Sequence, residues 1–441
     1  MLSVLKHRSY RHMFLAQVVA LMGTGLATVA LGLLAFDLAG DQAGLVLGTA
    51  LTIKMVAYVT LAPIAAAFAE QINRRTMLVL LDVVRAGVAI CLPFVTEIWQ
   101  IYALIFLMQA ASAGFSPTFQ ATIPDLLPDE EEYTNALSLS RLAYDLESLL
   151  SPMLAAVLLT LVAFDTLFVG TSVGFVGSAL LIVTIALPSP QPSNRRGIWD
   201  RTTRGLRIYL ATPRLRGLLA LCMTLSLVAA MVLVNTVVVI RGNLSLGETA
   251  VAFVLGSFGA GSMVTALLLP RVLRTIPDRP VMVFGAALMS VVALVLAAWS
   301  YLLGLTLPAV LLAWFVIGLG YSAVLTPSGR LLRRSSQPED RPALFAAQFT
   351  LSHACWLISY PLSGWLMSAF GATPTLVVLG VGGAASLMIA LVLWPSRDPD
   401  IIAHSHPDLP PDHPHLQGGH SHPYVIDDLH RHWPGHHRTL R

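Results

Sequence analysis

Long apolar runs parted by short polar stretches fill almost the whole of this chain, and a helix of about 20 apolar residues is what crosses a bilayer. The runs lie near residues 13–36, 44–68, 76–96, 98–122, 136–162 and 165–187, then near 216–240, 248–270, 280–302, 305–327, 344–368 and 374–394. This pattern predicts an all-α integral membrane protein with twelve transmembrane helices. Composition agrees, since 56% of the 441 residues are hydrophobic and 12% charged, whereas soluble proteins are about a quarter charged. No sizeable soluble enzyme domain fits, and no Gly-rich phosphate loop with its Lys and Ser or Thr is present, so neither an enzyme nor an ATP-driven pump is expected. The first run is too long for the apolar part of a signal peptide. Cys91, Cys222 and Cys355 each fall inside an apolar run without a close Cys partner, which suits small buried hydrophobes better than a disulfide or a zinc site.

Basic residues orient the spans, because positively charged loops stay in the cytoplasm. Lys6, Arg8 and Arg11 precede the first span, and Arg74 and Arg75 separate the second from the third. Arg195, Arg196, Arg201, Arg204, Arg207, Arg214 and Arg216 fill the central polar stretch. Arg271, Arg274 and Arg279 follow the eighth span, Arg330, Arg333, Arg334 and Arg341 follow the tenth, and the opposite loops hold Arg241. Both termini are therefore expected in the cytoplasm. Trp199, Leu206 and Tyr209 interleave with the central arginines as in an interfacial helix.

The central stretch divides the chain into residues 1–190, a first bundle of six helices, residues 191–215, a basic linker, and residues 216–395, a second bundle of six. A faint repeat relates the bundles at a shift of about 210 residues, as parallel repeats do in secondary transporters. Pro117 falls on Pro327, Pro128 on Pro338, Asp129 and Glu130 on Glu339 and Asp340, and Ala136 on Ala346. Two such bundles can rock about a site at the midplane without exposing backbone to lipid. Residues Ala66 to Arg75, AAFAEQINRR, resemble the signature of the major facilitator superfamily at the loop after the second span, with Glu70 in place of the usual Asp followed by the basic pair Arg74 and Arg75. The stretch Ser116 to Ala136 is similar to exporters of that superfamily related to siderophore and drug carriers. Ser151 and Pro152, followed by Ala155 and Ala156, resemble a Gly-Pro antiporter motif. The resemblance covers roughly residues 5–395 and implies the major facilitator fold, transport driven by a gradient, a multi-pass protein of the cell inner membrane, and no nucleic-acid partner. A monomer in the lipid bilayer is the expected state.

Ionisable groups inside a span are expensive and by default functional candidates. Lys54 lies near the middle of the second span, as a charge switch, a cation-repelling gate or a snorkelling side chain. Asp82 and Arg85, three apart on the third span, and Arg141 and Asp145, four apart on the fifth, can pair on shared helix faces. Asp145 and Glu147 are the carboxylates best placed to exchange a proton or attract a cation. His353 is the histidine inside a predicted span, and imidazole can carry a proton or bind a transition metal. By the resemblance, spans one, four, seven and ten line the pathway, which would expose Gln17, Thr24, Thr28, Gln109, Ser112, Met223, Asn235 and Tyr321.

After the last span the composition changes. Of 13 histidines, His404, His406, His413, His415, His420, His422, His430, His432, His436 and His437 lie in residues 396–441, a Pro-broken segment with too little apolar surface to offset ordering entropy. A disordered tail is expected. Pairs of histidines two apart suit transition metals such as Ni, Co, Zn and Cu, and a tethered chelator raises the local ion concentration. Together, core and tail resemble nickel-resistance exporters of the NreB type. The expectation is export of Ni²⁺, with Co²⁺ as a further cargo, by proton antiport. Ni²⁺, or Co²⁺ or Zn²⁺, would be substrate and tail ligand, with no permanently bound cofactor. The alternatives are a drug or siderophore exporter with an accessory metal-binding tail, and a sensor that keeps the fold but moves nothing.

Overall fold

The computed structural model describes the chain except residues 40–42, 70–71, 189–197, 400, 404–420, 431 and 435–441. Among the described residues the helices of the first bundle are α1 (Arg8–Ala39), α2 (Ala43–Ala69), α3 (Arg74–Cys91), α4 (Ile98–Leu126), α5 (Glu130–Leu159) and α6 (Asp165–Val183). A short linker helix, α7 (Ile198–Ala211), leads into α8 (Pro213–Val237), α9 (Glu248–Val272), α10 (Asp278–Leu303), α11 (Leu307–Leu325), α12 (Ser328–Arg334), α13 (Arg341–Phe370) and α14 (Ala372–Leu393). Ten of these helices are long and apolar enough to cross a membrane by length and composition. The helices α5 and α13 stand outside that group, and α5 carries Arg141, Asp145 and Glu147 within its length.

Several ends of these helices have a local cause. Asn73 caps α3 by accepting from the Arg75 N–H at 3.0 Å, and Asp129 caps α5 by accepting from the Glu132 N–H at 2.9 Å, each satisfying a donor that the first helical turn leaves unbonded. Pro327 breaks the tenth long element into α11 and α12, since proline has no N–H to give. Its counterpart by the repeat, Pro117, sits inside an unbroken α4.

Each bundle has its own core. In the first, Leu34, Ile101, Ile105, Phe168 and Phe175 fill one end, and Tyr10, Met13, Leu78, Phe119 and Tyr133 fill the other. The second bundle is built around Leu218, Leu225, Met282, Met289, Trp314 and Leu344. The two bundles meet where α2 packs on α13 and α5 packs on α9. The linker helix α7 lies on both α13 and α2. There Gly205 meets the Ala343 backbone so closely that any Cβ would collide with the Ala343 carbonyl.

Two expectations change. Cys222 and Cys355 are buried, but Cys91 is exposed on α3. The segment after residue 396 is not structureless throughout: Ile401–Ala403 and Ser421–Pro423 pair as antiparallel strands β1 and β2. Tyr424 and Ile426 then join the second bundle's core. The proline count missed this because three apolar residues in a row, Tyr424, Val425 and Ile426, are enough to anchor a short segment on an existing apolar surface. Among the metal candidates, His404, His406, His413, His415, His420, His436 and His437 lie outside the described residues, as does Glu70.

Candidate functional site: a charged and aromatic centre with a clasp at the terminal face

Near the middle of α2, the Lys54 ammonium stands 5.6 Å from the centroid of the Tyr58 ring, one helical turn on. The Tyr58 hydroxyl donates to Gln109 Oε1 on α4 at 2.8 Å. Its ring crosses to the second bundle and packs against Phe349 and His353 on α13, both with centroids 4.8 Å away. His353 Nδ1 lies 2.7 Å from the Phe349 carbonyl. A carbonyl can only accept, so Nδ1 carries the proton and the lone pair of the neutral ring is on Nε2. Glu147 on α5 is the carboxylate whose charge acts on Lys54. Opposite it, Gly25 on α1 leaves the space that Ser151 and Glu147 occupy; a Cβ there would collide with Ser151 and lie 2.6 Å from Glu147 Oε1.

The other intramembrane charges are tied to partners. Arg85 pairs with Asp82, which also accepts from Ser178 at 2.7 Å, and the guanidinium lies between the Phe115 and Phe175 rings at 4.0 and 4.5 Å. This cluster stays within the first bundle. Arg141 pairs with Asp145 and lies 5.1 Å from the Tyr321 ring on α11, while Asp145 accepts from Ser262 on α9 at 2.7 Å. That pair joins the two bundles. Asn235 is turned away from the centre, donating to Ser363 Oγ at 2.8 Å inside the second bundle. Among the described residues, no three of His, Cys, Asp and Glu converge as a metal cluster would.

A second constellation lies at the face that carries the N-terminus and α7. Arg74 and Arg341 both pair with Asp125, at the end of α4, so that one carboxylate holds an arginine from each bundle. Arg330 pairs with Glu130 across the bundles and with Asp278 at 2.8 Å within its own. Arg274 pairs with Glu131, and Arg333 donates to the Pro128 carbonyl and lies 5.3 Å from the Tyr133 ring. Among the described residues, every ion pair between the bundles lies at this face, which closes it. Arg75 donates its backbone N–H to Asn73 and points outward.

Sequence reasoning missed Tyr58, Phe349, Asp125 and Ser262. Tyr58 and Phe349 could have been found as aromatics one turn from Lys54 and His353, where an intramembrane charge needs cover. Asp125 could have been found as the acid ending the span nearest Arg74.

Two bundles joined by a linker helix, clasped at one face and holding charged and aromatic groups at the centre, define a membrane carrier. The chain belongs to the Major Facilitator Superfamily, whose sequence pattern matches residues 13–239 and 219–409. It is similar to the MFS-type transporter YvqJ of Bacillus subtilis, 23% identical over 402 residues that cover 87% of this chain and 91% of the relative. A second relative from that organism, the MFS-type transporter YfiS, is 22% identical over 343 residues, covering 76% and 80% of the two chains. Among solved structures, the human organic anion transporter MFSD10 matches with a TM-score of 0.75 at 13% identity, covering 87% of this chain and 99% of that one. A bacterial homologue of the iron transporter ferroportin, in an outward-facing state, matches with a TM-score of 0.71 at 14% identity, covering 87% and 98%. These likenesses establish the fold. The protein is an MFS-type transporter, and this family and fold are those of transporters, not enzymes.

Proposed function

We propose that this transporter exports Ni²⁺, with Co²⁺ as a further cargo, from the cytoplasm in exchange for protons, as a twelve-span monomer of the inner membrane. The observation that carries this reading is the histidine-rich segment joined directly to a carrier core, whose paired imidazoles favour transition metals over Mg²⁺ or Ca²⁺. The arginine-rich face is then cytoplasmic, and a clasp at that face is what an outward-facing state would require.

The centre suggests how exchange works. Asp82 and Asp145 each pair with an arginine, whereas Glu147 is bonded to Ser151 and feels the charge of Lys54. An ionised Glu147 attracts either a cation or a proton, and Lys54 keeps it from holding the cation too tightly. Competition for one carboxylate makes the two fluxes run in opposite directions. His353 Nε2 and the Gln109 carbonyl offer further ligands to a partly hydrated ion.

A second reading is export of an organic molecule, which the Tyr58, Phe349 and His353 rings favour. Metal accumulation in cells lacking other nickel exporters separates the two. Lower Ni²⁺ content with the protein present, restored by a protonophore, supports metal antiport; unchanged Ni²⁺ with reduced accumulation of a lipophilic dye supports the organic cargo.

A further inference from the structure

Residues Tyr424–His430, with Trp433, dock where a clamp would have to sit. Tyr424 and Ile426 enter the core of the second bundle, and Trp433 packs on its edge. Asp428 reaches Arg204 on α7 at 2.8 Å, the same arginine that pairs with Asp340 at the N-terminus of α13. The Trp433 ring lies 5.1 Å from the Arg214 guanidinium at the start of α8. The linker helix α7, which lies on α2 of the first bundle, is thus fixed to the second bundle from two sides, by α13 and by the docked segment. Burial alone would lower the Arg204 guanidinium, but the carboxylates of Asp340 and then Asp428 outweigh it and hold the group above its ordinary value.

The interior of the segment holds a buried histidine. His430 is 4% exposed, its ring 4.6 Å from that of Tyr424. Asp427 Oδ1 accepts from the backbone N–H of Leu429, from that of His430 and from His430 Nδ1, all within 2.9 Å. The Nδ1 proton is thereby fixed by a carboxylate, the arrangement that orients imidazole Nε2 for metal. Two residues on, His432 is exposed, and its carbonyl accepts from the Tyr424 hydroxyl at 2.7 Å. An ion needs ligands from several directions, and a ring that is 4% exposed and packed on Tyr424 is not open to an ion arriving from solution. Chelation and docking therefore exclude each other, which makes them thermodynamically linked.

We infer that Tyr424–His430, with Trp433, forms a metal-released latch: docked, it clamps α7 to the second bundle and keeps the terminal face closed, and capture of a transition-metal ion by His430 and His432 takes it off. Free metal near that face would thereby raise the share of carriers able to open towards it. The inference rests on the metal-export reading for its purpose, but not for its test.

The test is hydrogen exchange of the purified full-length protein in lipid nanodiscs, with Ni²⁺ or Mg²⁺ as the added ion. Ni²⁺ should speed exchange of the Leu429 and His430 amides by about tenfold or more, as a ligand that selects an open state does, and Mg²⁺ should not. Asp428→Asn with Trp433→Ala should give fast exchange in the absence of Ni²⁺. His432→Gln, at an exposed side chain that docking uses only through its backbone carbonyl, should weaken the response to Ni²⁺ several-fold while leaving slow exchange in its absence. Slower or unchanged exchange in Ni²⁺, or an undiminished response in His432→Gln, overturns the latch. Reconstituted vesicles that move no Ni²⁺ would defeat the export reading, and the exchange result would still decide the latch.

Discussion

In the proposed antiport Glu147 and Lys54 would carry the exchange at the scale of single residues, and the two substitutions that remove their charges should have opposite signatures. Glu147→Gln leaves no carboxylate for the proton to compete for, so Ni²⁺ flux driven by a pH gradient should fall by about tenfold or more, the scale of a coupling energy of about 1–3 kcal/mol. Ni²⁺-induced proton release, read with a pH-sensitive dye, should vanish with it. Lys54→Met should instead tighten cation binding and slow release, lowering turnover together with the Ni²⁺ concentration for half-maximal rate. Asp82 belongs to a different class. It is fully buried against Arg85, and Asp82→Asn leaves that guanidinium unpaired inside the first bundle, which costs about 3–5 kcal/mol. Thermal unfolding in detergent should show the loss as a lower Tm, whatever happens to transport.

Elements meet through small residues and caps, and here the sequence is readable at some points and silent at others. Gly25→Ala pushes a methyl into Ser151 and Glu147, an overpacking cost of about 1–3 kcal/mol, and should reduce both stability and proton coupling, measured on the same purified sample. Long helices were legible because apolar runs are a lipid requirement: the run near 280–302 is α10, Asp278–Leu303, and the run near 98–122 is α4, Ile98–Leu126. The linker helix was legible because Trp199, Leu206 and Tyr209 interleave with arginines. The pairing of Arg141 with Asp145 and of Asp82 with Arg85 was legible because helix periodicity puts such neighbours on one face. Contacts between distant elements were not, since nothing local links Tyr58 to His353, Asp145 to Ser262, or Arg204 to Asp428. Asn235 shows the converse, because a polar residue on a predicted pathway helix is used to bond Ser363 within its own bundle.

At the scale of the whole molecule, the proposed exchange requires two states, and the ion pairs at the arginine-rich face would favour the one closed there. Arg330→Gln with Arg341→Gln removes the pairs to Glu130 and Asp125 and should shift the population towards opening at that face, measured as a longer distance between spin labels placed on either side of it. The direction of cargo movement and its driving force belong to this scale as well. The most direct measurement is Ni²⁺ flux in vesicles reconstituted with the full chain, under an imposed pH gradient. The account predicts Ni²⁺ accumulation on the acidic side, proton movement the other way, and collapse of both on adding a protonophore. Ni²⁺ that equilibrates at the rate of protein-free vesicles whatever the gradient would contradict it.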